Sequence, residues 1–176
     1  MLTSAALVLF LLQTAGSTAN DTLMEAARTG NVAQVGAALD AGANVDTRGR
    51  YEVTPLITAA MNGHLDTVRL LVSRGANVNL QDSFYGARAI DMALSNGHTA
   101  VATLLLERGS EGAAAALSIG IDKGDLALVR QALKAPLSRP ALQAALASPA
   151  AARQPDILAA LKDAIRTLGH VYAIGK

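Results

Sequence analysis

Thr54-Pro55-Leu56-Ile57-Thr58-Ala59-Ala60-Met61-Asn62-Gly63-His64-Leu65-Asp66-Thr67-Val68-Arg69-Leu70-Leu71-Val72-Ser73-Arg74-Gly75-Ala76-Asn77-Val78-Asn79 is the stretch that decides the architecture. Thr54 is a helix cap, and Pro55 sits at the first helical position, where its missing N–H has no intrahelical partner to lose. Leu56, Ala59 and Ala60 have helical spacing, and Gly63 stops the helix. Leu65, Val68, Leu71 and Val72 form the apolar stripe of a second helix. Gly75 ends that one, and Ala76-Asn77-Val78-Asn79 leads into an extended connection. The next helix is predicted to start near Ala89. The unit is a helical hairpin followed by a loop.

The unit recurs. At an offset of 33 residues, Leu23, Ala26, Ala27, Gly30 and Val35 lie over Leu56, Ala59, Ala60, Gly63 and Val68. Gly42-Ala43-Asn44-Val45 lies over Gly75-Ala76-Asn77-Val78. A third copy, at an offset of 34, carries Ile90, Ala93, Gly97, Leu105 and Gly109. A fourth, shorter copy has Leu117, Gly124, Leu126, Val129 and Leu133 at an offset of 61 from the second, so the loop near Gly109–Ala113 has lost residues. Pro140–Ala147 and Pro155–Leu168 keep the helical pattern with almost none of the motif, as capping repeats do.

Thr54-Pro55-Leu56, Ala59-Ala60, Asn62-Gly63-His64, Val68, Leu70-Leu71 and Gly75-Ala76-Asn77-Val78-Asn79 closely resemble the ankyrin repeat. The resemblance covers residues 21–111 well. It implies an all-α fold, an ankyrin-like solenoid of four to five stacked helix-turn-helix repeats. There are departures. The His that the family often has after Thr-Pro-Leu is replaced by Met24, Ile57 and Asp91. The third copy has Arg88-Ala89-Ile90 for Thr-Pro-Leu. The family's loop-tip Gly is Glu52 in the first loop and Gly86 in the second.

Composition agrees with close helix stacking. The chain has 176 residues, 51% hydrophobic and only 3% aromatic, and alanine permits near approach of helices. Its net charge of +1 creates no field for nucleic acid or anionic lipid. Residues 20–111 hold ten acids and seven bases, net −3, and residues 112–176 four and eight, net +4. The absence of cysteine excludes disulfides, thiolate metal sites and a Cys nucleophile.

Leu2–Leu12 is a nearly unbroken apolar run, too short to span a bilayer, which needs roughly 20 apolar residues. Ser17-Thr18-Ala19 supplies the small side chains that a signal peptidase reads. No Lys or Arg precedes the run. The expected organisation is a signal peptide 1–19 cut after Ala19, an array over 20–168 and a tail 169–176. The approximate repeats are 21–52, 53–86, 87–111 and degenerate 112–136 and 137–168. The expected location is periplasmic or secreted, with no stable membrane insertion after cleavage.

Asp91, Ser95 and His98 hint at a hydrolytic triad, with Asp91 and Ser95 one turn apart. His98, however, follows the helix-ending Gly97 and matches His64, a structural position in the family. His64 and His98 occupy equivalent places in adjacent repeats and invite a metal-pair reading, but no Cys supports it. There is no Gly-rich phosphate loop. The expectation is a non-enzyme without cofactor or metal.

The aromatics are more informative. Apart from Phe10 and Tyr172, they are Tyr51, Phe84 and Tyr85, all in the two long loops and flanked by Arg48, Arg50, Asp82 and Arg88. Two readings stand: the rings pack against neighbouring loops, or they anchor a partner. A second surface, the concave face of the first helices, presents Glu25, Arg28, Thr58, Met61, Asn62, Met92, Ser95 and Asn96. The expected function is a monomeric, exported scaffold that binds a protein partner, not nucleic acid, through loop tips and concave face. A narrower version is an immunity or protective partner for another exported protein.

Overall fold

The computed structural model describes residues 18–174, with the side chains of 18–167. The apolar run Leu2–Leu12 lies outside the described residues. Among the described residues the structure is helical, with one isolated bridge between Gln81 and Arg88 and no strand. Helix α1 covers 18–29, followed by α2 (Val32–Asp40), α3 (Pro55–Met61), α4 (Leu65–Ser73), α5 (Ala89–Ser95) and α6 (Thr99–Glu107). Then come α7 (Ala113–Lys123), α8 (Leu126–Ala132), α9 (Arg139–Ala147), α10 (Pro149–Ala152) and α11 (Pro155–Ile174). The chain forms two compact units that divide within α6, one up to Val101 and one from Ala102.

The helix ends are built as the sequence indicates. The Thr54 hydroxyl accepts the Ile57 N–H at 3.2 Å, with Pro55 in the first turn. Gly63 takes φ +75°, a left-handed conformation that side chains resist. This lets the His64 N–H reach back to the Ala59 carbonyl at 3.0 Å and reverse the chain into α4. The same bond closes three other hairpins: Asn31 to Ala26, His98 to Ala93 and Asp125 to Gly120. Where Thr-Pro-Leu is lost, α5 is capped differently, the Asp91 carboxylate accepting the Arg88 N–H at 2.9 Å.

In the first unit α3 packs on α4 and α5, and α2 on α4. The equivalent residues Leu23, Leu56 and Ile90 are fully buried, as are Ala26, Ala59 and Ala93. The alanines let helices approach while the larger residues fill the seam; each buried Leu or Ile contributes about 1.5–3 kcal/mol. The His-replacing Ile57 is buried too. In the second unit α7 packs on α8, α9 and α10, and α11 on α8, α9 and α10.

The degenerate end differs in detail from the expectation. The helix expected at Pro140–Ala147 is α9, but a short helix follows it: Ser148 ends α9 and caps α10, with Pro149 at its first position. Helix α11 continues to Ile174, into the stretch expected as a tail. The connection 108–112 between α6 and α7 is short, against 41–54 and 74–88 in the earlier repeats. The expected cut after Ala19 falls inside α1, where Ala19 is buried and the Asn20 side-chain oxygen accepts the Asn44 N–H at 2.8 Å. No helix among the described residues is long and apolar enough to cross a membrane.

Candidate functional site

The two long loops each end in a tight finger. In finger 1, residues 49–53, the Gly49 N–H bonds to the Val53 carbonyl at 2.9 Å. Tyr51 and Glu52 both take left-handed backbone, φ 57° and 61°, unusual for residues with side chains. In finger 2, residues 82–87, the Asp82 N–H bonds to the Ala87 carbonyl at 3.0 Å, and Gly86 takes the left-handed slot that Glu52 fills in finger 1. The fingers are joined: the Ser83 N–H donates to the Tyr51 carbonyl at 2.8 Å.

This places three rings together. Tyr51 and Phe84 lie 5.2 Å apart between centroids, tilted by 51°, and Phe84 and Tyr85 4.5 Å apart, edge to face. The Arg50 guanidinium covers Tyr51 at 4.7 Å. The rings of the two loops are therefore in contact. They pack on one another, yet Tyr51 is 47% exposed, Phe84 61% and Tyr85 76%.

Asp82, expected among the contact residues, lies inside instead, only 4% exposed. Its carboxylate accepts the N–H groups of Phe84 at 2.8 Å, Tyr85 at 2.6 Å and Ala87 at 3.2 Å. A short acidic side chain at the base of a turn satisfies backbone donors that would otherwise point at nothing. Asp82 thus positions the rings. Arg88, half-buried, pairs with Asp91 at 3.6 Å, while Arg48 is exposed and pairs with Glu52.

On the first helices, Thr58 is also corrected to an interior place. It is 6% exposed and its hydroxyl donates to the Thr54 carbonyl at 3.0 Å. Met61, Asn62, Ser95 and Asn96 are exposed, and Met92 partly so. Asn62 and Asn96 donate to the carbonyls four residues back, Thr58 and Met92, at 2.9 and 3.0 Å. Glu25 and Arg28 form an exposed two-point ion pair at 2.6 and 2.8 Å. The Arg28 guanidinium hydrogen-bonded to it holds the Glu25 carboxyl below the usual carboxylate range, and Arg28 is correspondingly raised.

The histidines hold repeats together. The His64 ring accompanies Gly30 of the preceding repeat, and its Nε2 lies 3.1 Å from the Arg28 carbonyl. The His98 ring lies against Gly63. Asp91 is bound to the start of its own helix, and His98 is set against Gly63. Among the described residues no group of three or more His, Cys, Asp or Glu is arranged to hold a metal ion.

Gln154 was not foreseen. It precedes α11 as His64 precedes α4, its amide donates to the Ile121 carbonyl at 2.9 Å, and it abuts Gly124. Its position immediately before a helix-starting proline was the available signal.

A family described as "Ankyrin repeats (3 copies)" matches residues 5–82 and 23–116. A Caenorhabditis elegans protein, "Ankyrin repeat and KH domain-containing protein mask-1", is 35% identical over 51% of this chain. The Bos taurus "Mitochondrial disaggregase" is 40% identical over 46% of it. The Mus musculus "Ankyrin repeat, SAM and basic leucine zipper domain-containing protein 1" is 43% identical over 34% of it. The matched stretches make up 3%, 12% and 13% of those proteins, so the chain corresponds to a small part of each.

Proposed function

The chain belongs to the ankyrin repeat family, whose repeats generally mediate protein–protein interaction, and from that premise we propose that it is a non-catalytic binding protein whose loop tips grip a protein partner. The observation that carries the reading is the exposed trio Tyr51, Phe84 and Tyr85, held on fingers that Asp82 and the Ser83–Tyr51 bond fix in advance. Rigid rings offer large contact area with few rotatable bonds, so little ordering entropy is lost when a partner covers them. The exposed first-helix residues Met61, Asn62, Ser95 and Asn96 are a second contact face in this reading, and their polar and flexible mixture adapts to a protein face.

Export belongs to the same proposal. Leu2–Leu12 followed by Ser17-Thr18-Ala19 has the order of a secretory signal, which supports a mature chain in the periplasm or outside the cell. Intact-mass measurement of the chain recovered from its native source tests this: a start at Asn20 supports it, and a start at Met1 contradicts it.

The binding reading is tested by affinity capture with the parent chain and with a Tyr51→Ala/Phe84→Ala/Tyr85→Ala variant of matching circular dichroism. The parent is expected to retain a protein that the variant loses, by roughly 30-fold or more in Kd, the scale of an interface hot spot. Equal retention by both moves the site away from the loop tips.

A further inference from the structure

Tyr51, Phe84 and Tyr85 form a ladder with one closed end and one open end. Arg50 covers the face of Tyr51, Phe84 packs on Tyr51, and Tyr85 packs on Phe84. Exposure climbs along it, from 47% to 61% to 76%. The ladder grows by finger addition: finger 2 joins finger 1 by giving the Ser83 N–H to the Tyr51 carbonyl and laying the next ring, Phe84, on the Tyr51 ring. In the repeat register Tyr85 and Gly86 of finger 2 stand where Tyr51 and Glu52 stand in finger 1, at an offset of 34. A third finger would repeat the step, but the third repeat's connection, 108–112, is too short to make one.

We propose that the Phe84–Gly86 edge of finger 2 receives a turn or extended segment of the partner protein, a backbone N–H donor followed by an aromatic side chain, added as finger 2 is added to finger 1. This rests on the loop tips being the binding surface, and names what they bind. The occupant continues an interface the chain already makes with itself, which fixes its chemistry: one donor for a finger 2 carbonyl and one ring for the Tyr85 edge. A second copy of the chain does not meet the requirement, because the donor and ring of its own finger 2 are already engaged by its finger 1. Addition through main-chain hydrogen bonds with a side-chain pocket for selectivity is a general mode of peptide capture.

The probe is a head-to-tail cyclised peptide of the chain's own finger, Gln81–Arg88, labelled with a fluorophore and titrated with the full chain. Fluorescence anisotropy is expected to show saturable binding that weakens about tenfold or more with Tyr85→Ala, or when the peptide's Phe and Tyr are replaced by Ala. Arg69→Ala, on the exposed side of α4, serves as the control and leaves binding unchanged. In amide NMR spectra the shifts are expected at Ser83–Gly86. Absence of saturable binding up to about 1 mM, or equal binding by the Tyr85→Ala chain, overturns the proposal. If the peptide fails while the triple alanine variant still loses its natural partner, loop-tip binding stands and finger addition alone falls. If the triple variant keeps its partner, the loop-tip reading itself is wrong.

Discussion

The His98 imidazole occupies the space that a side chain at Gly63 would need: a Cβ built there would lie 2.5 Å from His98 Nδ1. The same relation joins Gly30 and His64 one repeat earlier, at 2.6 Å. Glycine is thus required twice over, for its positive φ and for the ring of the next repeat. By contrast Gly75, at φ +90°, would meet nothing within 4 Å.

Gly75→Ala should therefore carry conformational strain alone, about 1–2 kcal/mol. Gly63→Ala should lose more, by about a further 1–3 kcal/mol of overpacking against the ring. Urea unfolding checks both. Adding His98→Ala to Gly63→Ala should be less damaging than the sum of the single changes, because the clash disappears with the ring.

Thr67 is buried in α4 and its hydroxyl has no hydrogen-bond partner. A buried donor with nothing to bind is a penalty of about 1–3 kcal/mol. Thr67→Val keeps the shape and replaces the hydroxyl by a methyl group, so it should raise the urea midpoint, by about 1 kcal/mol in unfolding free energy. A lowered midpoint would mean that the hydroxyl is satisfied in solution.

Asp82→Ala should leave all three rings in the sequence and still weaken the partner, since Phe84, Tyr85 and Ala87 would lose the acceptor that shapes their turn. The expected loss is about tenfold in Kd from poorer preorganisation, with Asp82→Asn falling between the parent and Asp82→Ala. Unchanged affinity in the alanine variant would show that the finger needs no anchor.

Glu25 bears on pH. A carboxyl whose pKa is lowered on folding stabilises the folded chain above its unfolded pKa, and the contribution fades as pH falls through the lower folded value. The Arg28 hydrogen bond does this at Glu25. Carboxyl NMR titration should give Glu25 a lower midpoint in the parent than in Arg28→Gln, and added salt should narrow the gap because the pair is exposed.

The sequence disclosed the elements whose causes are local. Thr54, Pro55, Gly63 and Gly75 act through caps and left-handed turns, and the 33-residue recurrence exposed the stacking seam. The burial of Asp82 and Thr58 was not legible, since both residue types are ordinarily exposed and their interior partners are backbone groups fixed only by the finished turn and helix. The role of Gln154 was hidden by the decay of the motif: a glutamine does what histidine does in other repeats. The rings were found as a set because they are so few, but their order as a ladder required the contact between two loops.

The most direct test of the central claim is site-specific photocrosslinking, with a benzophenone amino acid placed singly at position 85 on finger 2, position 61 on the first-helix face and position 69 on α4, in the presence of the captured partner. The strongest adduct is expected from position 85, a weaker one from 61 and none from 69. An adduct from 69 with none from 85 would contradict the account.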